Sequence, residues 1–389
     1  MPDLVKHRDE TWEHRQLGHH RAQIFPGVGK PANSRGSLRA NLEQGRRHNE
    51  LDGVLTKDEI TAVLHDFFAK REAGIEAAVT DLLAEQIIGV KMTITKFQGL
   101  GFAPQVELAA DDIEEMFGLI RYGLSLDPTA TFYPDLRNEQ IAKFTAMLSL
   151  MEEAVREHVI VMFYTFRIVL GGDLVKWVEN FDHHPDWKNR THRLLNFYPS
   201  ELITVADRLN MPSDTGMQLL DAGKAVINSY IEAGVPLFGL LAMNSGLTSA
   251  TYPNFDHLIK TDRQAIFAEE AMVALVNWAR VHSALPHLKI GSGTRAYDYS
   301  IPLEDRAGER EYFTFDLMTC TPTPWPQSQV LREIKKLYAT PGVCERVLKP
   351  DLMITDAPEK AALECCGIAA DDSLGFHHPQ FDLTLSADN

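Results

Sequence analysis

The apolar residues of the first half of the chain recur mainly at helical spacing. Ile60, Val63, Leu64 and Phe67 lie three or four positions apart. They follow the run Thr56–Glu59, in which a threonine precedes a glutamate by three residues, as in a helix capping box. This pattern predicts a helix that begins at residue 56 and continues to about residue 83.

The same periodicity predicts helices along most of the remaining chain. One begins near Asp111 with Glu114 as its capping partner, and a long one over about 138–170 ends at Gly171-Gly172, a typical C-terminal signal. Shorter helices are predicted over about 200–210, 214–233, 262–285, 329–338 and 357–366. Strand-like alternation is found only at Tyr312–Leu317. We therefore predict an all-α fold, a bundle-like single large domain.

Three segments are predicted from the distribution of this periodicity. Residues 1–50 are rich in His, Arg and Gly, and are predicted to form an extended N-terminal arm. Residues 51–310 would form the helical domain, and residues 311–389 a small irregular C-terminal appendage.

The net charge and the cysteine content indicate which partners and which cellular compartment to expect. The net charge is −16, which disfavours phosphate backbones and anionic lipid, so neither nucleic acid nor membrane is an expected partner. The N-terminus has no apolar core of a secretion signal. Two of the four cysteines, Cys365 and Cys366, are adjacent and would bridge only with strain. A reducing, cytoplasmic location is expected, and the acidic charge and the arm suggest a homo-oligomer.

Two short motifs resemble known binding or catalytic motifs, but each is interpreted as a structural element of the chain. His48–Glu59 is similar to a calcium loop, with Asp52 and Gly53 at suitable places, but His48 would stand where calcium needs an oxygen ligand. It is interpreted as a turn before a capped helix. Asp182–Trp187 contains the His-His-Pro-x-Trp core that pterin carbinolamine dehydratases carry. It is interpreted as a polar loop that ends a helix.

The candidate site lies at the end of the predicted helix 262–285. Leu275, Trp278 and His282 lie on one stripe of this helix, so His282 is predicted to point inward. A neutral imidazole in an apolar pocket is what a haem iron requires on its proximal side. The alternative is a histidine that is simply buried in the core.

A glycine-rich loop follows this helix. Ile290-Gly291-Ser292-Gly293-Thr294 offers backbone N–H groups and small hydroxyls, which suit a carboxylate or a propionate. Arg295 could clamp the same carboxylate in a bidentate manner.

This segment resembles the proximal segment of tryptophan 2,3-dioxygenases. The resemblance covers Trp278, His282 and His287, then Ile290–Thr294 and Tyr297-Asp298-Tyr299. The run Pro286–Lys289 is also similar to the pyrrolnitrin-pathway enzyme of the same haem-dependent aromatic oxygenase superfamily, which includes indoleamine dioxygenase. In that second alignment His287 would be the haem ligand.

A weaker similarity lies on the long predicted helix. There His158 and the aromatic run that ends at Arg167 resemble the family's distal helix.

The resemblance implies a haem oxidoreductase, either a dioxygenase or a hydroxylase. Haem b would be held by His282 or His287, with Ser292 beside it, and His158 would be the distal catalytic residue. Residues implied to bind the substrate are Gly293, Thr294, Arg295 and Arg167. The expected substrate is a small aromatic amino acid or an indole, oxidised with O2 or peroxide.

Two other classes of function remain open at this stage. One is a non-haem metalloenzyme that uses His183, His184 and His192 with Asp182 or Asp186. The other is a helical binding or assembly protein without catalysis, in which His282 is a core residue.

Overall fold

The structure is a computed structural model of the chain. It describes residues 17–19, 31–43, 45–96, 105–136, 140–164, 193–197, 199–232, 237, 239–243, 262–286, 288–294, 313–315, 322–324 and 352–355.

The described part contains both strands and helices. The strands are β1 Leu17–His19, β2 His48–Leu55, β3 Thr61–Ala62, β4 Lys91–Lys96, β5 Gln105–Asp112, β6 Thr131–Leu136, β7 Val161–Tyr164, β8 Arg193–Phe197, β9 Gly239–Met243, β10 Lys289–Thr294, β11 Phe313–Phe315, β12 Pro322–Pro324 and β13 Leu352–Thr355. The α-helices are α1 Arg35–Glu43, α2 Lys70–Ala73, α3 Ala84–Ile87, α4 Met116–Leu126, α5 Gln140–Ser149, α6 Glu153–Glu157, α7 Pro199–Arg208, α8 Gly216–Glu232 and α9 Asp262–Arg280. A short 3-10 helix spans Val79–Asp81.

Eight parallel strands pair into a closed ring. Around the ring the order is β1, β13, β10, β9, β8, β7, β6 and β2, and β2 pairs in turn with β1. Each of these eight pairings is parallel. Along the chain, α1 lies between β1 and β2, α4 between β2 and β6, and α5 and α6 between β6 and β7. α7 and α8 lie between β8 and β9, and α9 lies between β9 and β10. The arrangement is a parallel α/β barrel of eight strands.

The two faces of a barrel strand differ, because one packs against the surrounding helices and the other points into the barrel. Leu51 of β2 and Phe132 of β6 belong to the same buried cluster as Leu38 of α1 and Ile120 of α4. These residues therefore point outward, into the layer between strands and helices. Because successive side chains of a strand alternate between faces, the residues on either side of Leu51 and Phe132 point into the barrel.

The segment between β2 and α4, residues 56–115, is an insertion with its own core. It contains β3, three short helical elements and the antiparallel pair β4–β5. Most of its buried apolar residues form a second cluster with Val54 of β2: Ala62, Leu64, Ala69, Ala73, Val79, Ile87, Met92, Ala109 and Ile113. The insertion is thus packed against the barrel where β2 ends.

The predicted all-α fold is wrong, because the described chain is built around a parallel sheet. The predicted helix over 56–83 is instead a turn, the short strand β3 and short helices. The hydroxyl of Thr56 bonds to Asp58 and Ile60 across the turn that joins β2 to β3. The predicted long helix over 138–170 contains two short helices and then β7. The apolar run there belongs to a barrel strand, and such strands resemble buried helix in sequence.

The other helix and strand predictions have mixed outcomes. The predictions over 200–210, 214–233 and 262–285 are confirmed by α7, α8 and α9, and β11 lies within the predicted strand 312–317. The helix predicted from Asp111 begins at Met116, with the side chain of Glu115 as its cap. The tail helices predicted over 329–338 and 357–366 lie outside the described residues.

Strands from all three predicted segments lie in the same sheet. β1, from the predicted arm, pairs with β13, from the predicted appendage. The boundaries at residues 50 and 310 stay predictions. No helix in the described part of the chain is both long and apolar enough to cross a membrane.

Candidate metal centre

Three carboxylates converge inside the barrel. Glu50 and Asp52 lie two positions apart on β2, and Asp135 lies near the end of β6. One oxygen from each residue lies within 4.8 Å of the others. Glu50 is 1% and Asp52 4% exposed, whereas Asp135 is half-buried, so two of the three carboxylates lie in the interior and the third is partly accessible.

Strand register explains why they meet. Asp52 and Asp135 are direct partners in the parallel pairing of β2 and β6. Glu50 shares the inward face of β2 with Asp52, since residues two apart point to the same side. Asp135 is the penultimate residue of β6. The cluster therefore lies toward the carboxyl ends of the strands, the end at which barrels of this kind carry their sites.

A histidine and a tyrosine close the barrel interior below the carboxylates. His48 Nδ1 lies 2.9 Å from the hydroxyl of Tyr133, and both side chains are buried. Tyr133 is the register partner of Glu50. Burial raises the pKa of Tyr133 well above its usual value, so the phenol stays protonated. The floor of the site is thus a hydrogen-bonded pair in which the tyrosine is neutral.

The donor set fits a divalent cation. Ionised carboxylates buried close together repel one another, and a cation between them offsets both the repulsion and the lost hydration. Carboxylate oxygens are the ligands that Mg²⁺ and Ca²⁺ prefer. Three such ligands leave coordination positions for water and substrate oxygens. The residues that could hold the cation are Glu50, Asp52 and Asp135.

Asp52 is held by an asparagine from the segment before α1. Asn33 Nδ2 donates to Asp52 Oδ2 at 2.9 Å, and Asn33 Oδ1 accepts from the backbone N–H of Asp52 at 3.1 Å. This reciprocal pair fixes both the backbone and the carboxylate of Asp52.

A histidine and two acids follow β3 in the insertion. His65 Nδ1 lies 2.7 Å from Asp66 Oδ1, and because a carboxylate accepts, Nδ1 carries the proton in this bond. Glu72 Oε2 accepts from the backbone N–H groups of both His65 and Asp66 at 2.8 Å. Asp66 therefore orients the imidazole, and Glu72 holds the turn that carries it.

The strand pairing brings His65 back toward the carboxylates. β3 runs antiparallel to β2, with Ala62 opposite Val54. The chain that leaves β3 therefore returns toward the level of Asp52, and His65 comes three residues later. β3 also lies on the side of β2 where β1 ends.

His158, the predicted distal residue, lies at the opposite end of the barrel. It follows α6 and precedes β7. Its Nδ1 donates to the carbonyl of Ala130 at 2.7 Å, and its own carbonyl accepts from the N–H of Phe132. These bonds connect the starts of β6 and β7, so its observed contacts are structural.

His282, the predicted proximal ligand, lies just beyond α9 and before β10. Its ring contacts Trp278 at 4.7 Å between centroids, and its Nδ1 accepts from the N–H of Ala284 at 3.3 Å. The side chain is half-buried at a helix end. Since it precedes β10, it lies at the amino ends of the strands, away from the carboxylates.

The predicted glycine-rich loop is a barrel strand. Ser292, Gly293 and Thr294 form the second half of β10, and Thr294 is paired with Thr355 of β13. They lie toward the same end of the barrel as the carboxylates, and their predicted binding roles stay predictions. Other predicted site residues lie outside the described part of the chain: His287, Arg295, Arg167, Asp182, His183, His184, Asp186 and His192.

The carboxylate cluster is absent from the sequence-based predictions. There Asp52 belongs only to a calcium-like loop, and neither Glu50 nor Asp135 is a candidate. The spacing Glu50-Leu51-Asp52 was an available signal, because two acids two apart share one face of a strand. That signal depends on recognising residues 48–55 as a strand.

Comparison with known proteins gives matches to solved structures only. No family model matches the chain, and no curated protein matches it. A glycerophosphoryl diester phosphodiesterase from Parabacteroides distasonis is 13% identical, with a TM-score of 0.47, over 92% of this chain and 88% of that chain. A phosphodiesterase from Oleispira antarctica, solved with the product sn-glycerol-3-phosphate, is 12% identical, with a TM-score of 0.42, over 88% and 93%.

A third solved structure has the same described activity. A glycerophosphodiester phosphodiesterase from Agrobacterium tumefaciens is 12% identical, with a TM-score of 0.41, over 88% of this chain and 96% of that chain. At these values the similarity carries no argument about function, and the barrel is established by the strand pairings themselves.

The predicted haem oxygenase is contradicted, and with it haem b, the oxidoreductase class and the resemblance to haem-dependent aromatic oxygenases. The described fold is a parallel barrel and not an all-α bundle. The converging ligands are carboxylates, which suit a hard cation. Neither alternative, the loop-histidine metalloenzyme or the non-catalytic helical protein, is favoured by these observations.

Proposed function

We propose that the chain is a divalent-cation-dependent hydrolase of phosphodiesters. The observation that carries the proposal is the meeting of Glu50, Asp52 and Asp135 within 4.8 Å inside the barrel. A largely buried all-carboxylate set is typical of Mg²⁺, Mn²⁺ or Ca²⁺ sites that act on phosphate groups. When bound, the cation would supply Lewis-acid stabilisation of negative charge on a phosphoryl oxygen.

Proton transfer is assigned to His65 in this proposal. Asp66 holds Nδ1 in the protonated state, so Nε2 is the atom through which His65 would exchange a proton with the leaving group or the attacking water. The two backbone bonds to Glu72 restrain the turn, and the bond to Asp66 orients the imidazole. The buried floor formed by His48 and Tyr133 limits the entry of water from below.

The proposed substrates are phosphodiesters, and more than one kind should be tested. A phosphodiester fits a single cation that neutralises one phosphate, with a histidine to protonate the departing alcohol. Glycerophosphodiesters are the first substrates to examine, because the named solved structures are described as acting on them.

The test is an assay of purified full-length protein that has been stripped with EDTA and supplied with Mg²⁺, Mn²⁺ or Ca²⁺. Release of glycerol phosphate from a glycerophosphodiester and of nitrophenol from bis(p-nitrophenyl) phosphate would be followed. We expect hydrolysis that requires the added cation. Asp52→Asn should lower kcat/KM by at least about 100-fold, since it replaces a charged carboxylate ligand with a neutral amide.

A matched control is available on the surface. Asp221 lies on α8, about half exposed, 3.4 Å from Lys224, and Asp221→Asn makes the same chemical change far from the carboxylates. It should leave kcat/KM unchanged. Hydrolysis that does not depend on the cation, or equal activities for the two variants, would contradict the proposal, as would failure on both diesters by protein that binds the cation.

Location and assembly remain proposals. We propose a cytoplasmic location, supported by the adjacent Cys365 and Cys366, and a homo-oligomer. Neither nucleic acid nor membrane is proposed as a partner, because the net charge is −16. No contact in the described part of the chain tests the expected small aromatic substrate or the expected O2 or peroxide. The proposed hydrolysis requires none of them. Cell fractionation and the mass measured by light scattering would test location and assembly.

A further inference from the structure

Asn33 adopts a backbone conformation that few residues other than glycine take. Its φ is +59°, in the left-handed region, where asparagine is one of the better tolerated side chains. The side chain is fully buried. A buried residue in a disfavoured conformation indicates that its side chain makes contacts which offset the cost.

Those contacts are made to Asp52. The amide of Asn33 donates to one carboxylate oxygen of Asp52 at 2.9 Å and accepts from its backbone N–H at 3.1 Å. The first bond restricts rotation of the carboxylate about its Cβ–Cγ bond. The second holds β2 at the point where Asp52 pairs with Asp135.

Asn33 is itself held by the start of α1. Ser34 and Ser37 cap this start reciprocally: Ser37 N–H donates to Ser34 Oγ at 3.1 Å, and Ser34 N–H to Ser37 Oγ at 3.3 Å. The N–H of Gly36 donates to Asp111 Oδ1 of the insertion at 2.9 Å. The insertion and the helix cap therefore restrain the same turn that presents Asn33.

We propose that Asn33 is a positioning residue that prepares Asp52 to bind the cation. The inference rests on the proposed function, because Asp52 has this role only if the carboxylates bind a cation. Asn33 would not touch the cation or the substrate. It would act by holding one oxygen of Asp52, so that the carboxylate need not be ordered when the cation arrives.

Substituting Asn33 by glycine and by alanine distinguishes a positioning role from a purely structural one. Asn33→Gly removes both hydrogen bonds and tolerates a positive φ. Asn33→Ala removes the same bonds and adds backbone strain at φ +59°. If Asn33 only stabilised the fold, cation affinity would follow stability, and alanine would be the worse variant for both.

Asn210 provides the matched control. It also has a positive φ, +54°, but it is exposed beyond α7, where its N–H donates to the carbonyl of Asp207. Asn210→Gly therefore makes the same substitution in the same backbone conformation, at a position remote in the chain from Asp52 and its partners.

The experiment is calorimetric titration of Mn²⁺ into EDTA-stripped, full-length protein, with the Tm of each metal-free variant measured alongside. We expect Asn33→Gly and Asn33→Ala to weaken Mn²⁺ binding equally, by about 10- to 100-fold, although alanine has the lower Tm. Asn210→Gly should bind as the wild type does.

Each of the other possible results contradicts a different part of the proposal. Wild-type affinity in Asn33→Gly would overturn the positioning role and leave the proposed function standing. Affinity that falls in step with Tm would assign Asn33 to stability alone. If the wild type and Asp52→Asn bind Mn²⁺ equally or not at all, the cation site itself fails, and the positioning role fails with it.

Discussion

Asp52 on β2 and Asp135 on β6 are direct partners across two parallel strands, and with Glu50 they bring three carboxylates together inside the barrel. Parallel pairing places residues that are distant in sequence at the same level of a sheet. The insertion of residues 56–115 separates the two strands in sequence without disturbing their register. The proposed cation site is therefore a property of the barrel topology.

Cation binding should stabilise the fold in a way that depends on Asp135. A ligand that binds only the folded state adds about 2.7 kcal/mol at about 100 times its Kd. Unfolding of the wild type in EDTA and in excess Mn²⁺ should differ by about this amount, and Asp135→Asn should abolish most of the difference. Asp221→Asn should retain it. A Tm shift in Asp135→Asn as large as in the wild type would place the cation elsewhere.

His65 should be needed for turnover and not for cation binding. His65→Gln removes the proton-exchanging imidazole, and loss of a general acid or base costs about 100- to 10,000-fold in kcat. Its Mn²⁺ affinity should match that of the wild type. The backbone bonds from residues 65 and 66 to Glu72 do not involve the substituted ring, so the turn is retained. Full activity in His65→Gln would remove His65 from the mechanism.

Gly36 is a position of close approach between α1 and the insertion. A Cβ there would lie 2.6 Å from Asp111 Oδ2 and 2.9 Å from Asp111 Oδ1. Gly36→Ala should lower the free energy of unfolding by about 1–3 kcal/mol, because this contact must open.

The double variant Gly36→Ala with Asp111→Ala tests the cause of that loss. It removes the clashing carboxylate, so the two substitutions should not be additive, and the cycle should show coupling of at least about 0.5 kcal/mol. Additive losses in denaturant unfolding would show that the clash is not the source of the destabilisation.

The ion pair between Arg121 and Glu152 should give a small, pH-dependent stabilisation. The hydrogen bond from Arg121, at 2.5 Å, lowers the pKa of Glu152 to about 2, from its usual 4.5. Because the folded pKa is depressed, the stabilisation is present above pH 4.5 and is lost as the pH falls toward about 2. Both side chains are about half exposed, so it amounts to under about 1 kcal/mol.

The variant Glu152→Gln should therefore be less stable than the wild type near neutral pH and equal to it in strong acid. Denaturant unfolding across this range measures the difference. Glu153→Gln is the control, since it changes the neighbouring exposed acid outside the Arg121 ion pair. A difference that is independent of pH would mean that the ion pair does not contribute.

Helices in the second half of the chain could be predicted from the sequence, and the barrel strands could not. α7, α8 and α9 are amphipathic and long, so the period of their apolar residues identifies them. β7 and β9 have four and five residues, which is too short for alternation to appear. The apolar residues of β7 continue the pattern of the predicted helix over 138–170, and β9 lies between the helices predicted over 214–233 and 262–285.

The site could not be predicted for a related reason. The pattern Thr56–Glu59 satisfies a capping rule, but its hydroxyl closes a turn between strands, so a correct local motif was assigned to the wrong element. If residues 48–55 are interpreted as arm and turn, Glu50 and Asp52 have no shared face. The contribution of Asp135 depends on the register of β2 with β6, a long-range pairing that local sequence does not specify.

The most direct test of the cation site is anomalous diffraction from crystals of the full-length protein soaked in Mn²⁺. We expect one strong peak between Glu50, Asp52 and Asp135, at about 2.0–2.3 Å from an oxygen of each, which disappears in crystals of Asp52→Asn. Absence of density there, with the cation bound elsewhere or not at all, would contradict the assignment of these carboxylates as the metal centre.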